Sequence, residues 1–443
     1  MATTDQRKLL YERIHLRCPF NEVTFLVKII GHLSKSDLEN ALKKVILLHP
    51  LLGSKVRIDE DGNAIFLNDE NFNIEILEME RKSAGTIYTC LEKLTEKPFD
   101  VEVGPLVQFG IVNDGDITEL VLYFHHIICD GVSVPFVIED ILNQAITEQE
   151  PENSVDLSQI PVIDNDIFVD EYKLPFLVRK LFGRLNKKWK KSPKIFSETE
   201  FQTLHAKFWT GKTKKIISHE FTPEETAKII QKSKENEVTI NSTFFSAILS
   251  ATNKIFDQNN ALQYKLVQAV GLRDRVKAKI ERVLGLFASA YSIKYKIKPE
   301  KLFWTQTTEI HQKLKENFNP AKIYLMSMVN IIDPNLLDSI YFDYVDLFSH
   351  PASKSVSKIL GMLQPTLGAA LTNIRRIEIP RTYGDLRVES IIFIPPPVVN
   401  YKFIVGLWSF NGKIGYSLVY IDPLTDSSEM EKIQEEINSS VGG

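Results

Sequence analysis

The chain has 443 residues, is 44% hydrophobic and 25% charged, and carries a formal net charge of -4 at neutral pH. That length exceeds one ordinary core and points to two large domains, while the near balance of charge gives no overall bias toward nucleic acid as a partner. Cys18, Cys90 and Cys129 are odd in number and lack CxxC spacing, so neither a disulfide framework nor a cysteine zinc site is expected, and a reducing compartment fits. Residues 1–13 are polar and charged without the apolar core of a signal peptide, and no run of about twenty apolar residues occurs. A cytoplasmic chain, neither secreted nor membrane-spanning, is the expectation.

Residues 8–13 read as a short helix, and residues 22–30 as a β-rich run ending at Gly31. Ser34 caps a predicted helix that carries Leu38, Ala41, Leu42, Val45 and Leu48 at helical spacing and stops at His49-Pro50. Residues 55–58 and 64–67 flank Asp59-Glu60-Asp61-Gly62, a hairpin signal, and residues 74–79 suggest one more strand. After a helix near residues 86–95, Pro98-Phe99-Asp100 and Gly104-Pro105-Leu106 lead to two β-rich runs, 106–112 and 117–128, joined by Asn113-Asp114-Gly115-Asp116. Ser133 then caps a helix that tolerates Pro135 in its first turn and buries Phe136, Val137, Ile138, Ile141 and Leu142.

Residues 148–166 shift to an acidic, proline-containing composition, the mark of an exposed connection. Residues 173–194 contain nine Lys or Arg and no Asp or Glu, interleaved with Phe176, Leu177, Leu181, Phe182, Leu185 and Trp189. The plain reading is a solvated basic face over a core-facing stripe; the sharper ones are a dock for an acidic carrier protein, for nucleotide phosphates or for a membrane surface. Beyond it come a strand at 214–221 and a strong helix start at Thr222-Pro223-Glu224-Glu225. A nearly apolar helix at 242–255 follows, then strands at 266–270 and 283–293 and a helix at 305–316. The end is β-rich, with runs at 371–379, 390–394, 403–410 and 414–420, a turn at Asn411-Gly412 and a last helix near 428–437. The domains expected are 1–165, a linker with the basic helix at 166–212, and 213–443. The two halves look alike in their alternation of strands and helices.

The stretch Tyr123-Phe124-His125-His126-Ile127-Ile128-Cys129-Asp130-Gly131 concentrates the chemistry. Alternation puts His125 and His126 on opposite faces of a sheet, so one can face a cleft while the other is held in the body of the domain. Asp130 adds a charge that needs a cationic partner when buried, and Gly131 a turn without a Cβ. An ordinary packed histidine pair is the plain alternative. A metal needs three ligands, but His15, His32, His49, His205, His219, His311 and His350 are scattered, so no metal is expected. Cys129 is badly placed for activation by either histidine, and there is no GxGxxG, P-loop or GxSxG.

His125 to Gly131 resembles the HHxxxDG motif of the superfamily that includes chloramphenicol acetyltransferase, nonribosomal peptide synthetase condensation domains, polyketide-associated acyltransferases and the plant BAHD acyltransferases. Similar stretches occur in the family's order: Tyr11-Glu12-Arg13, His49-Pro50-Leu51-Leu52, Pro98-Phe99-Asp100 with Gly104-Pro105-Leu106, Val238-Thr239-Ile240-Asn241, Gly271-Leu272-Arg273 and Thr372-Asn373. The resemblance implies an α/β fold of mixed sheets, two similar chloramphenicol acetyltransferase-like subdomains forming a V with the motif at their interface and a central tunnel. It further implies a catalytic set of His125, His126, Asp130 and Gly131. Within it His126 is the general base, Asp130 a structural group paired with an arginine, and Gly131 the residue that lets the backbone turn near substrate. Arg273 stands where that arginine usually lies, with Arg275 in reserve. Thr372 and Asn373 resemble a strand bordering the active site, with Thr372 a donor to an oxyanion. Two departures stand out: Leu284-Gly285-Leu286-Phe287 lies where many members have Gly-Asn, and no Asp-Phe-Gly-Trp-Gly is present.

The implied reaction is acyl transfer from a thioester to a hydroxyl or amine without a covalent acyl-enzyme. No resident cofactor is expected; acyl-CoA or a phosphopantetheine-borne acyl thioester serves as co-substrate. The implied partners are a small-molecule or lipid acceptor and an acyl or peptidyl carrier protein arriving in trans. The rivals are a free-standing condensation enzyme forming an amide or ester on carrier-bound substrates, and a condensation-like binding protein without catalysis.

Overall fold

The computed structural model describes residues 5–68, 74–169, 172–256, 263–298 and 300–442. The first four residues of the polar N-terminal stretch lie outside them. Two six-stranded mixed sheets form the cores of two α/β subdomains, beside a small three-stranded antiparallel sheet.

The strand Ile117–His125 lies inside the first sheet between Glu22–Ile30 and Val107–Asn113, antiparallel to both. Eight of its nine residues are buried, which is why it reads as an almost continuous apolar run rather than an alternation. Its hairpin forms as composition predicts: Asp114 Oδ1 accepts from the amides of Asp116 and Ile117 at 3.3 and 2.9 Å, and Gly115 takes φ 99°. The helices Lys35–Leu48 and Val134–Ala145 pack on each other, the former closed by a capping box between Ser34 and Asp37.

In the second sheet Gly368–Arg376 runs parallel to both neighbours, Gln263–Gly271 and Ile404–Phe410; the remaining pairs, to Ala288–Lys296, Lys413–Asp422 and Thr213–Glu220, are antiparallel. The helix Ile240–Phe256, buried almost all round, packs against that parallel strand and against the helices Phe303–Asn317 and Ser427–Gly442. The sheets do not divide at one point in the chain. Leu386–Ile394 crosses back to pair with Glu22–Ile30 in the first sheet, with Thr382–Tyr383 beyond it. An apolar cluster spans the two sheets: Leu26, Val121 and Tyr123 from the first, and Ala370, Ile404 and Val419 from the second.

Several expectations are corrected. Residues 8–13 are not one helix: Gln6–Leu9 is a strand and Arg13–Leu16 a single helical turn. The strand wins because Arg7, inward-facing, finds Glu12 at 2.7 Å and the carbonyls of Ile160 and Pro161 at 3.1 and 2.7 Å. The acidic connection is not simply exposed, since Leu157, Ile160 and Ile163 are buried. In the basic helix, Phe176–Trp189, only Phe182, Leu185 and Trp189 of the proposed stripe are buried; Phe176, Leu177 and Leu181 are exposed. Residues 283–287 are not strand; pairing begins at Ala288.

Candidate active site

The two histidines sit where the first sheet runs out. His125 is the last residue of its strand, in register with Glu22, and the backbone then tightens into a 3-10 turn, His126–Ile128. The His126 amide donates to the Asn21 carbonyl at 3.0 Å. His125 is buried: its Nδ1 accepts from the Ile127 amide at 3.3 Å and its ring meets Phe99 edge-on at 5.7 Å. Burial, with His126 and Arg17 near, pushes its pKa down to about 3.

His126 is half-buried. Its Nδ1 lies 2.8 Å from the Cys129 carbonyl, which can only accept, so Nδ1 carries the proton and Nε2 keeps its lone pair. Burial lowers its pKa, against the opposing pull of that carbonyl and of Asp130. A third histidine belongs to the cluster. The ring centroid of His15, on the turn Arg13–Leu16, is 4.9 Å from that of His126, and burial first, then His126 and His125, hold its pKa well below the imidazole range. The sequence left His15 among scattered histidines. Its nearest signal was position, two residues beyond the Tyr11-Glu12-Arg13 resemblance.

Asp130 is buried and held mainly by backbone amides. Oδ1 accepts from Val132 and Ser133 at 3.1 and 2.8 Å, and Oδ2 from Phe287 at 2.9 Å. Arg273 Nη2 stands 3.7 Å from Oδ1, an ion-pair separation rather than a hydrogen bond. The guanidinium donates instead to the carbonyls of Glu281 and Val283, both at 3.2 Å, and lies over the Phe287 ring at 4.7 Å. It thus fastens the loop whose Phe287 amide reaches Asp130. Arg275 turns elsewhere, pairing with Asp274 at 3.5 Å and lying over Phe318 at 5.1 Å.

The loop at residues 284–287 is tied through backbone groups. Besides Phe287, the Leu284 amide donates to His49 Nδ1 at 3.1 Å, and the Gly285 carbonyl accepts from Ser133 Oγ at 3.3 Å. His49, fully buried, must then carry its proton on Nε2, 2.9 Å from Asp140 Oδ2 on the motif helix.

Gly131 lies in a turn, as expected, though not in the left-handed region. A Cβ there would sit 2.4 Å from Ile374 Cγ2 and 3.1 Å from the Phe393 ring, so the glycine permits close approach of two strands. Ile374 belongs to Gly368–Arg376, and alternation puts Thr372 on the same face. The Thr372 hydroxyl has no hydrogen-bond partner among the described residues, whereas Asn373 Nδ2 donates to Asn241 Oδ1 and its Oδ1 accepts from the Arg375 amide at 2.6 Å. Asn373 therefore anchors the strand to the helix Ile240–Phe256 rather than to the histidines.

A cavity of about 50 Å³ opens on the His125 side, lined by Arg17, Glu22, Phe99, Glu198 and His205 among others. Cys129 is fully buried, and burial raises its thiol well above the usual range. Among the described residues no cluster of His, Cys, Asp or Glu could hold a metal ion, and no helix is long and apolar enough to cross a membrane.

The family model for the condensation domain matches residues 20–339. The chain is 23% identical to bacitracin synthase 1 of Bacillus licheniformis over 426 residues, which cover 92% of this chain and 7% of that protein. It therefore spans a small fraction of the curated relatives it matches. Among solved structures, the trichothecene 15-O-acetyltransferase of Fusarium sporotrichioides superposes with a TM-score of 0.67 at 12% identity, covering 99% of this chain and 95% of that one. The first condensation domain of the CDA synthetase gives 0.65 at 12%, over 100% and 96% of the two chains. These likenesses show the fold. A family match across most of the chain, on a fold shared along its whole length, makes this protein a member of the condensation-domain family.

Proposed function

We propose that the protein transfers an acyl group from a thioester, of CoA or of a carrier protein's phosphopantetheine arm, to a hydroxyl or amine, with His126 as general base. The observation that carries this reading is the bond from His126 Nδ1 to the Cys129 carbonyl, which leaves a neutral ring with a basic Nε2. A thioester is already activated, so the acceptor needs only proton removal as it attacks and stabilisation of the oxyanion it creates. Nε2 takes the acceptor's proton while the acceptor oxygen or nitrogen bonds to the thioester carbon. The tetrahedral oxyanion then collapses, the C–S bond breaks, and His126 returns the proton to the thiolate. No acyl-enzyme forms. Thr372 is the donor proposed for the oxyanion, and Asp130, Gly131 and Arg273 hold the turn and loop that aim His126.

The second reading, condensation on carrier-bound substrates with a carrier protein in trans, is supported by the family match and by relatives that are peptide synthases. Both readings share the His126 step. The test is release of thiol, and the mass of the acylated product, when the full chain meets acyl-CoAs or acyl-carriers with alcohols or amines. His126→Ala is expected to lower kcat by about 100-fold or more with an unchanged circular-dichroism spectrum. Full activity in that variant overturns the assignment. Amide formation only on carriers selects the second reading.

A further inference from the structure

We propose that the outer face of the helix Phe176–Trp189 is a docking surface for an anionic lipid membrane. At about 100° per residue, Val178, Phe182, Leu185 and Trp189 share an inner stripe, while Phe176, Leu177, Lys180, Leu181, Arg184, Lys187 and Lys188 share an outer arc of about 140°. Exposure follows that division. Phe182 and Trp189 are 0% exposed, whereas Phe176, Leu177 and Leu181 are 66%, 75% and 41% exposed.

The outer arc carries only cations and bulky apolar groups. No Asp or Glu occurs anywhere in residues 173–194 to neutralise it. The helix Pro351–Leu360, packed against this one, also carries exposed lysines, Lys354 and Lys358. Lys180 Nζ lies 5.9 Å from the Phe176 ring, so charge and apolar surface are interleaved rather than separated. An acidic protein would be served by the cations alone. Three large apolar side chains held in water beside them call for hydrocarbon as well as negative charge, and a bilayer rich in anionic headgroups presents both at one surface. The helix would lie in the interfacial plane, its inner stripe still packed on the fold.

The helix and the histidine motif are separate segments, so the proposal stands or falls without the acyl-transfer reading. The full chain is mixed with vesicles of phosphatidylcholine alone or of phosphatidylcholine with phosphatidylserine, and the bound fraction is measured by flotation. The expected result is at least about tenfold preference for the anionic vesicles, weakened by salt. Lys180→Glu with Arg184→Glu should abolish binding, and Phe176→Ser, Leu177→Ser and Leu181→Ser together should lower it at least about tenfold. These are exposed positions, and an unchanged melting temperature verifies the fold. Absence of vesicle binding overturns the proposal. So does binding that survives the three serine substitutions, because a surface needing charge alone fits an acidic macromolecule instead.

Discussion

Burial strips the charge from the histidines that close the motif strand, and the effect is largest at His125, held near a pKa of 3 against about 6.5 for an exposed imidazole. The folded state therefore refuses a proton that the unfolded chain accepts as pH falls below about 6.5, so stability is lost on acidification. Between pH 7 and pH 5 this amounts to about 2 kcal/mol. Glu22 works in the opposite direction. Burial raises its carboxyl to about 6, so the fold takes up its proton earlier than the unfolded chain. Urea unfolding of wild type and His125→Gln separates the two, because Glu22 is common to both: the stability gap should narrow by about 2 kcal/mol from pH 7 to pH 5. A gap independent of pH would mean His125 is not held neutral. The motif pointed to His126 as the reactive ring, but what makes it basic, the Cys129 carbonyl at 2.8 Å, depends on a turn geometry that composition does not specify. His15 escaped notice because its approach to His126 crosses more than a hundred positions of chain.

Elements announced by local chemistry were legible, and those defined by distant partners were not. Ser34 and Thr222 cap their helices as predicted because a side-chain oxygen three residues from a carboxylate is a local device. A simpler cap, without the returning carboxylate, starts the helices at Asn319-Pro320, Asp333-Pro334 and His350-Pro351, where an oxygen or, at His350, Nδ1 accepts from a first-turn amide. By contrast, Leu386–Ile394 was readable as a strand but not as a member of the first sheet, since its partner lies some 360 residues earlier. Gly131 belongs to that non-local class too. Its bareness serves Ile374 and Phe393, from the second half of the chain. Gly131→Ala should therefore destabilise by about 1–3 kcal/mol through overpacking. Ile374→Ala, which removes that Cγ2 atom, should cost less in the Gly131→Ala chain than in wild type, as coupled neighbours do. Chemical denaturation of the three variants measures both, and an alanine variant as stable as wild type would show that the strands do not meet so closely.

At the scale of the molecule, the candidate site requires both halves of the chain. Phe287 and Arg273 brace Asp130, Ile374 closes on Gly131, and an apolar cluster spans the two sheets. A buried carboxyl and an ammonium also influence each other through the same junction. Glu22, buried on the first sheet, feels the charge of Lys214 from the second, whose ammonium also lies 5.3 Å from the Tyr123 ring. Burial raises the carboxyl to about 6 and lowers the ammonium, each offset by its partner. Removing the cation alone leaves a buried carboxylate to protonate or to remain uncompensated. Lys214→Met should then lower stability by about 1–3 kcal/mol at pH 8, where Glu22 is ionised, discounted from a fully buried pair because the lysine is only partly buried. Toward pH 5 the carboxyl becomes mostly protonated, so the deficit should shrink there, and Glu22→Gln added to Lys214→Met should remove its pH dependence. Urea unfolding across pH 5 to 8 reads these differences directly. A deficit that stays constant, or grows on acidification, would show that Glu22 and Lys214 do not act on each other across the two sheets.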